Sequence, residues 1–223
     1  MKHKLLDLFC GAGGASMGYH RAGFEVEGVD IKPQPHYPFK FHQTDALNYL
    51  ILHWFEFNAV HASPPCYENT WSARRWIDKI IPYDKQDRLR ETREILLDIN
   101  KPTETFLPFI LENTPGADMS NYIRLDGTMF DLRVIRERWF ELSQFEILLL
   151  PSPLKIKAPI VSGKYFTVAG HGGNSRDCRL RTWQEAMGIG WMTKKELTQA
   201  IPPAYTEYIG KYLMQAVDSD IEL

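Results

Sequence analysis

Residues 4–31 read KLLDLF, CGAGGASMGYHRAGF and EVEGVDI: a short apolar run, a turn carrying Gly11, Gly13 and Gly14 that passes into helix formers, and a second strand-like run. No other stretch constrains the fold as much. Nearly continuous apolar text reads as a strand buried on both faces, and such a strand returns to its sheet in parallel through a covering helix. The expected class is therefore α/β, with a mostly parallel sheet and helices on both faces.

Later segments extend that pattern. FKFHQTDALNYL (39–50) supplies a third strand and the next turn, FNAVHAS (57–63) a fourth strand ending at Ser63, and LPFILEN (107–113) a fifth that ends on a carboxylate and an amide. Residues 84–100 place Leu89, Leu96 and Ile99 near helical spacing and stop before Pro102, which predicts an amphipathic helix. RWFELSQFEILLL (138–150) reads as one strand or a hairpin, and KYFTVAG (164–170) as a further strand. TWQEAMGIGWM and AYTEYIGKYLMQAV return to helical text.

The 223 residues suit one globular domain, or one with a small appendage. No run approaches the length of a membrane span, and the N-terminal text lacks a signal-peptide core, so a cytoplasmic protein with no membrane partner is expected. Cys10, Cys66 and Cys178 are an odd set without C-x-x-C spacing, so neither a disulfide framework nor a zinc site is expected, and no metal. A formal charge of −2 carries no general nucleic-acid signal. Residues 151–181 nevertheless set six Lys and Arg against Asp177 alone, a net +5 that fits a phosphate-binding face or a solvated surface.

The glycine turn lets the backbone approach a ligand closely, and Asp30, about 20 residues on at the second strand end, is placed to accept from ribose hydroxyls. Plain strand-to-helix packing is the alternative use of such glycines. The turn lacks the Lys-Ser/Thr of a triphosphate cradle, and Asp7 suits a ligand with an amino group. With Asp45 at the third strand end, facing an adenine amino group, the three acids point to an adenosyl ligand with a cationic tail, as in S-adenosylmethionine.

HASPPCYENTWS (61–72) sets Cys66 directly behind Pro64 and Pro65, which fix φ and make a stiff mount where the fourth strand leaves the sheet. A buried structural thiol is the alternative. In an open parallel sheet, ligands gather beyond the carboxyl ends of the strands, so Cys66 and Glu112 are expected to share a crevice with the glycine turn. A thiolate there needs a neighbouring cation, for which Arg74, Arg75, Arg136 and Arg138 are candidates.

With DLFCGAGGASMG, VDI, TDAL, SPPC, LENTP, RVIRERWF and LTQAIPPAYTEYIG in that order along nearly the whole chain, the sequence resembles the DNA cytosine-5 methyltransferases, above all the short members carried by bacteriophages and prophages. The resemblance implies a Rossmann-like class I methyltransferase fold. It implies an S-adenosylmethionine site lined by Phe9, Gly11, Ala12, Gly14, Asp30, Ile31, Asp45 and Ala46, and double-stranded DNA as the partner of a monomer. Cys66 would be the nucleophile, Glu112 the residue on the cytosine N3 and amino edge, and Arg136 and Arg138 the arginines that orient nucleophile and base. Residues 1–143 would form the catalytic and cofactor-binding core, 144–181 a reduced target-recognition region, and 182–223 a segment returning to the core. Cytosine-5 methylation of RNA and a catalytically silent DNA- or S-adenosylmethionine-binding protein are the alternatives. The chain departs from the family pattern at Tyr67, which stands where relatives place glutamine, at Thr114, and at Thr198 and Gln199, which replace a Gly-Asn pair.

Overall fold

A computed structural model describes residues 2–65, 88–101, 107–148, 151–152, 165–168 and 179–220. Among the described residues, seven strands form one sheet: β1 (Lys4–Leu8), β2 (Glu25–Asp30), β3 (Lys40–Gln43), β4 (Ala59–Ala62), β5 (Phe109–Asn113), β6 (Tyr122–Leu125) and β7 (Arg138–Ser143). Their order is β3-β2-β1-β4-β5-β7-β6. The first five strands pair in parallel, and β7 runs antiparallel between β5 and β6.

Alternation along β1 divides the core in two. Leu5 joins Val26, Ala59, Ile110 and Phe140 under helices α1 (Gly14–Ala22) and α6 (Pro203–Asp220). Leu6 and Leu8 join Val29, Val60, Ala62 and Leu111 under α2 (Ala46–His53) and α3 (Arg88–Asn100). The expected mostly parallel sheet, covered on both faces, is what the chain forms.

Helices α1 and α6 meet through small residues. A Cβ on Gly18 would lie 2.0 Å from Thr206 Oγ1 and 2.2 Å from the Pro203 carbonyl oxygen, so only a bare Cα fits. Thr206 Oγ1 donates to the Ala15 carbonyl at 2.8 Å, bonding the two helices where they touch. A third apolar cluster gathers Ala12, Val134, Phe166 and Val168 with Trp183, Met187 and Leu197 from α4 (Leu180–Met187) and α5 (Lys194–Leu197).

Two readings of the chain change at the sheet edge. Of the run 138–150, residues 138–143 form the one strand β7, Gln144 takes φ 68°, the hairpin partner is the upstream β6, and residues 149–150 lie outside the described residues. Phe145 and Ile147 then pack on the core from irregular backbone, so burial without strand pairing accounts for their apolar character. In KYFTVAG, the described residues contribute a single parallel bridge, Phe166 with Val134. The predicted helix over 84–100 is observed from Arg88, residues 84–87 lying outside the described residues.

Candidate active site

The C-terminal ends of β1, β2, β4 and β5 converge on the glycine turn. Phe9 leaves β1 with φ 58°, unusual for an aromatic residue, and Gly11 and Gly13 follow at φ 50° and 81°. The turn is held at both ends. Asp30 Oδ2 accepts from the Gly11 amide at 3.1 Å, while its Oδ1 accepts from the Lys32 amide at 2.9 Å. A Cβ on Gly14 would meet the Ile201 carbonyl oxygen at 2.4 Å, and Trp191 Nε1 donates to the Ala12 carbonyl at 2.9 Å. The C-terminal segment therefore backs the turn directly. Ala12 and Ala46 are buried, whereas Ile31 is 65% exposed beside the half-buried Asp30.

Asp7 offers no exposed surface. It is fully buried beneath α1, where Ser16 Oγ donates to its Oδ2 and the Tyr37 hydroxyl meets Ser16 Oγ at 2.9 Å. Burial pushes its carboxyl up to about 7. Asp45 is likewise not a strand end: it caps α2, its Oδ1 accepting from the amides of Leu47 and Asn48 at 3.1 and 3.0 Å. Oδ2 stands 3.7 Å from an Arg88 nitrogen, so a ligand would share that oxygen with a cation. Cys10 is buried, and burial raises its thiol well above the ordinary range, which makes it a packing residue.

Glu112 ends β5 next to the diproline mount. Its carboxyl group is buried, with Oε1 2.9 Å from Arg138 Nε in an ion pair that does not align as a hydrogen bond. Burial raises its pKa, and the nearby Arg138 and Arg136 guanidiniums with a hydrogen bond from Ser63 offset part of that rise. A raised pKa favours the protonated acid, which can donate a proton. Asn113, the next residue, donates from Nδ2 to the Pro64 carbonyl at 3.3 Å, tying the strand end that carries the mount to β5. Cys66, Tyr67, Arg74 and Arg75 lie outside the described residues.

The two arginines behave differently. Arg138 reaches Glu112, but the buried Arg136 sends its guanidinium to the carbonyls of Val168 and Thr198, both at 2.8 Å. Tyr205 donates to the Arg136 carbonyl at 2.8 Å. Arg136 thus joins the sheet, the 165–168 segment and the turn after α5, a bracing position within reach of Glu112 by charge alone. His61, Ser63 and Asn113 are polar residues at this site that the motif reading passed over. Their signal was a histidine inside the apolar run AVHA and an amide directly after the acid.

No protein-family model matches the sequence, and no curated protein matches it. Its fold coincides over nearly the whole chain with those of solved methyltransferases. A protein described as a DNA modification methyltransferase encoded within an E. coli prophage aligns with TM-score 0.60 at 14% identity, covering 97% of this chain and 100% of that one. The S. pombe Dnmt2 methyltransferase gives 0.64 at 13% identity, with 98% and 100% covered. The Entamoeba histolytica methyltransferase EhMeth gives 0.61 at 15% identity, with 99% of each chain covered.

Proposed function

We propose that this chain is an S-adenosylmethionine-dependent methyltransferase that acts on C5 of cytosine in double-stranded DNA, with Cys66 as nucleophile. The observation that carries the reading is the pairing at two neighbouring strand ends. A buried Glu112 held beside Arg138 stands next to the Ser63-Pro64-Pro65 mount, on which Cys66 follows in the chain.

The strand ends suit an adenosyl ligand. Asp30, half-buried, and Ile31, with its apolar side chain 65% exposed, lie together beyond β2, where a ring would cover the isoleucine. Phe9, Gly11, Ala12, Gly14, Asp45 and Ala46 complete the proposed binding surface. Bound S-adenosylmethionine supplies an electrophilic methyl group.

The protein's part is to make C5 nucleophilic. The Cys66 thiolate adds to C6 of a cytosine rotated out of the duplex, since a stacked base offers neither face to a thiol. Electron density displaced by that bond collects on the ring, where Glu112 gives N3 a proton and Arg138 holds the carboxyl group in place. After C5 has taken the methyl group, its proton passes to water, the electron pair of that C–H bond expels the Cys66 sulfur, and N3 returns its proton to Glu112, which restores the ring. Residues 144–181 would serve as a reduced target-recognition region, and the basic stretch within it would meet phosphates.

Bisulfite sequencing of DNA from cells expressing the protein tests the reading, with Cys66→Ala as control. Methylated cytosines that vanish in the variant, while S-adenosylmethionine still binds, are expected. Transfer retained by Cys66→Ala would overturn it, and incorporation into tRNA in place of duplex DNA would change the substrate.

A further inference from the structure

Behind Glu112 lie three polar side chains that the chemistry above does not use. His61 is fully buried in β4, registered between Asp7 of β1 and Ile110 of β5. The Tyr19 hydroxyl of α1 stands 2.9 Å from His61 Nδ1, and Ser63 Oγ stands 2.8 Å from His61 Nε2. The Ser63 hydroxyl lies close enough to the Glu112 carboxyl group to act on it as a donor and lower its pKa. The β4–β5 register pairs Ala62 with Leu111, which brings the following residues, Ser63 and Glu112, to one level. A continuous line of polar atoms thus connects α1 with the acid.

Burial holds His61 neutral, with its pKa pushed down to about 3, so its ring carries one N–H. The Ser63 hydroxyl also carries one hydrogen. These two restrictions leave two self-consistent arrangements. With Glu112 ionised, Ser63 donates to the carboxylate, His61 Nε2–H donates to Ser63, and the Tyr19 hydroxyl donates to Nδ1. With Glu112 protonated, the acid donates to Ser63, Ser63 donates to Nε2, and Nδ1–H donates to the Tyr19 oxygen. The two arrangements differ by one proton, held on Glu112, and by the tautomer of His61.

We propose that His61 and Ser63 are positioning residues for Glu112, forming with Tyr19 a buried hydrogen-bond chain that reverses direction when the acid gains or gives its proton. An acid that donates to a substrate and is later reprotonated needs support in both states, and a fixed donor would support only the carboxylate. This catalytic role rests on the cytosine reading above, whereas the coupling itself does not. Among the described residues, the other groups bearing on Glu112 are Arg138 and Arg136, with Asp7 of β1, Tyr19 of α1 and Tyr205 of α6 interacting through their charge. Among these, only the Tyr19–His61–Ser63 line can change its hydrogen-bond direction without gaining a charge.

The test is magnetic resonance on the full chain labelled with 15N-histidine and 13C-glutamate, titrated over the range in which it stays folded. Resonances are assigned with Glu112→Gln and His61→Gln. His61 should remain neutral and pass from the Nδ1–H to the Nε2–H tautomer at the midpoint of Glu112 ionisation. Ser63→Ala, which removes a donor to the carboxylate, should raise that midpoint by about one pH unit. A single His61 tautomer across the Glu112 titration overturns the proposal, and so does an unmoved Glu112 midpoint in a folded Ser63→Ala protein. The tautomer readout needs no variant to fold. Coupling found in a protein that transfers no methyl group would overturn the methyltransferase reading and leave the chain intact; transfer with a fixed His61 tautomer would do the reverse.

Discussion

Trp191 Nε1 donates to the carbonyl oxygen of Ala12 at 2.9 Å across a separation of 179 residues, so the C-terminal segment holds the glycine turn from behind. Trp191→Phe keeps most of the ring and loses this bond. Stability to urea should fall by about 1 kcal/mol, and S-adenosylmethionine should bind about threefold to tenfold more weakly by calorimetry because the turn is less constrained.

Contact between α1 and α6 leaves no room at Gly18, where a Cβ would fall 2.0 Å from Thr206 Oγ1 and 2.6 Å from the Glu207 amide nitrogen. Gly18→Ala must therefore part the helices, although alanine is the better helix former. A loss of about 2 kcal/mol or more is expected in denaturant titration, with a native-like far-ultraviolet spectrum.

Glu112 and Arg138 are both largely buried, so the cost of breaking their pair depends on which partner is removed. Arg138→Ala strands a carboxyl group and should cost about 3–5 kcal/mol, more at pH 8 than at pH 5, because the acid can escape its charge only by holding a proton. Glu112→Gln should fold with a smaller loss and lower methyl incorporation by about 10²-fold or more. Combining the two should recover part of the Arg138→Ala loss, read as a double-mutant cycle.

Asp7 has the opposite pH signature from a salt-bridged acid. Burial pushes its folded-state pKa to about 7 from the ordinary 3.8, so between these values the unfolded chain releases a proton that the folded chain keeps. Its contribution to stability is present below about pH 4, declines as pH rises to about 7, and is then fully lost. Asp7→Asn should remove this decline. Its stability relative to the parent should rise between pH 5 and pH 8 by on the order of 2 kcal/mol, measured by urea unfolding at each pH.

Periodicity reached the parallel half of the sheet because β1, β2, β4 and β5 are buried on both faces and must read as apolar runs. It missed β6, whose four residues YIRL range from exposed Arg124 to buried Leu125 and join the sheet through pairing with β7. Within the site, Glu112 was legible as the last acid of a buried strand. Asp7 and Asp45 sit differently from the expected strand-end positions, one buried beneath α1 and the other capping α2, since strand-end text says nothing about whether an acid meets a helix or its own backbone. Arg136 and Arg138 are two residues apart, yet one guanidinium braces two distant carbonyls and the other pairs with Glu112.

The sequence by itself determined the α/β class, the position of the glycine turn and the candidacy of Cys66 and Glu112, because glycine, proline and unbroken apolar runs act through local backbone geometry and burial. Only the tertiary structure decided which acid is buried, which arginine meets Glu112, and that Tyr19, His61 and Ser63 line up behind it. Those outcomes depend on strand register and on a C-terminal helix packing against residues some 190 positions earlier, as Thr206 does on Ala15. Such contacts arise when buried polar groups from distant segments must satisfy one another, and no local pattern encodes the partner.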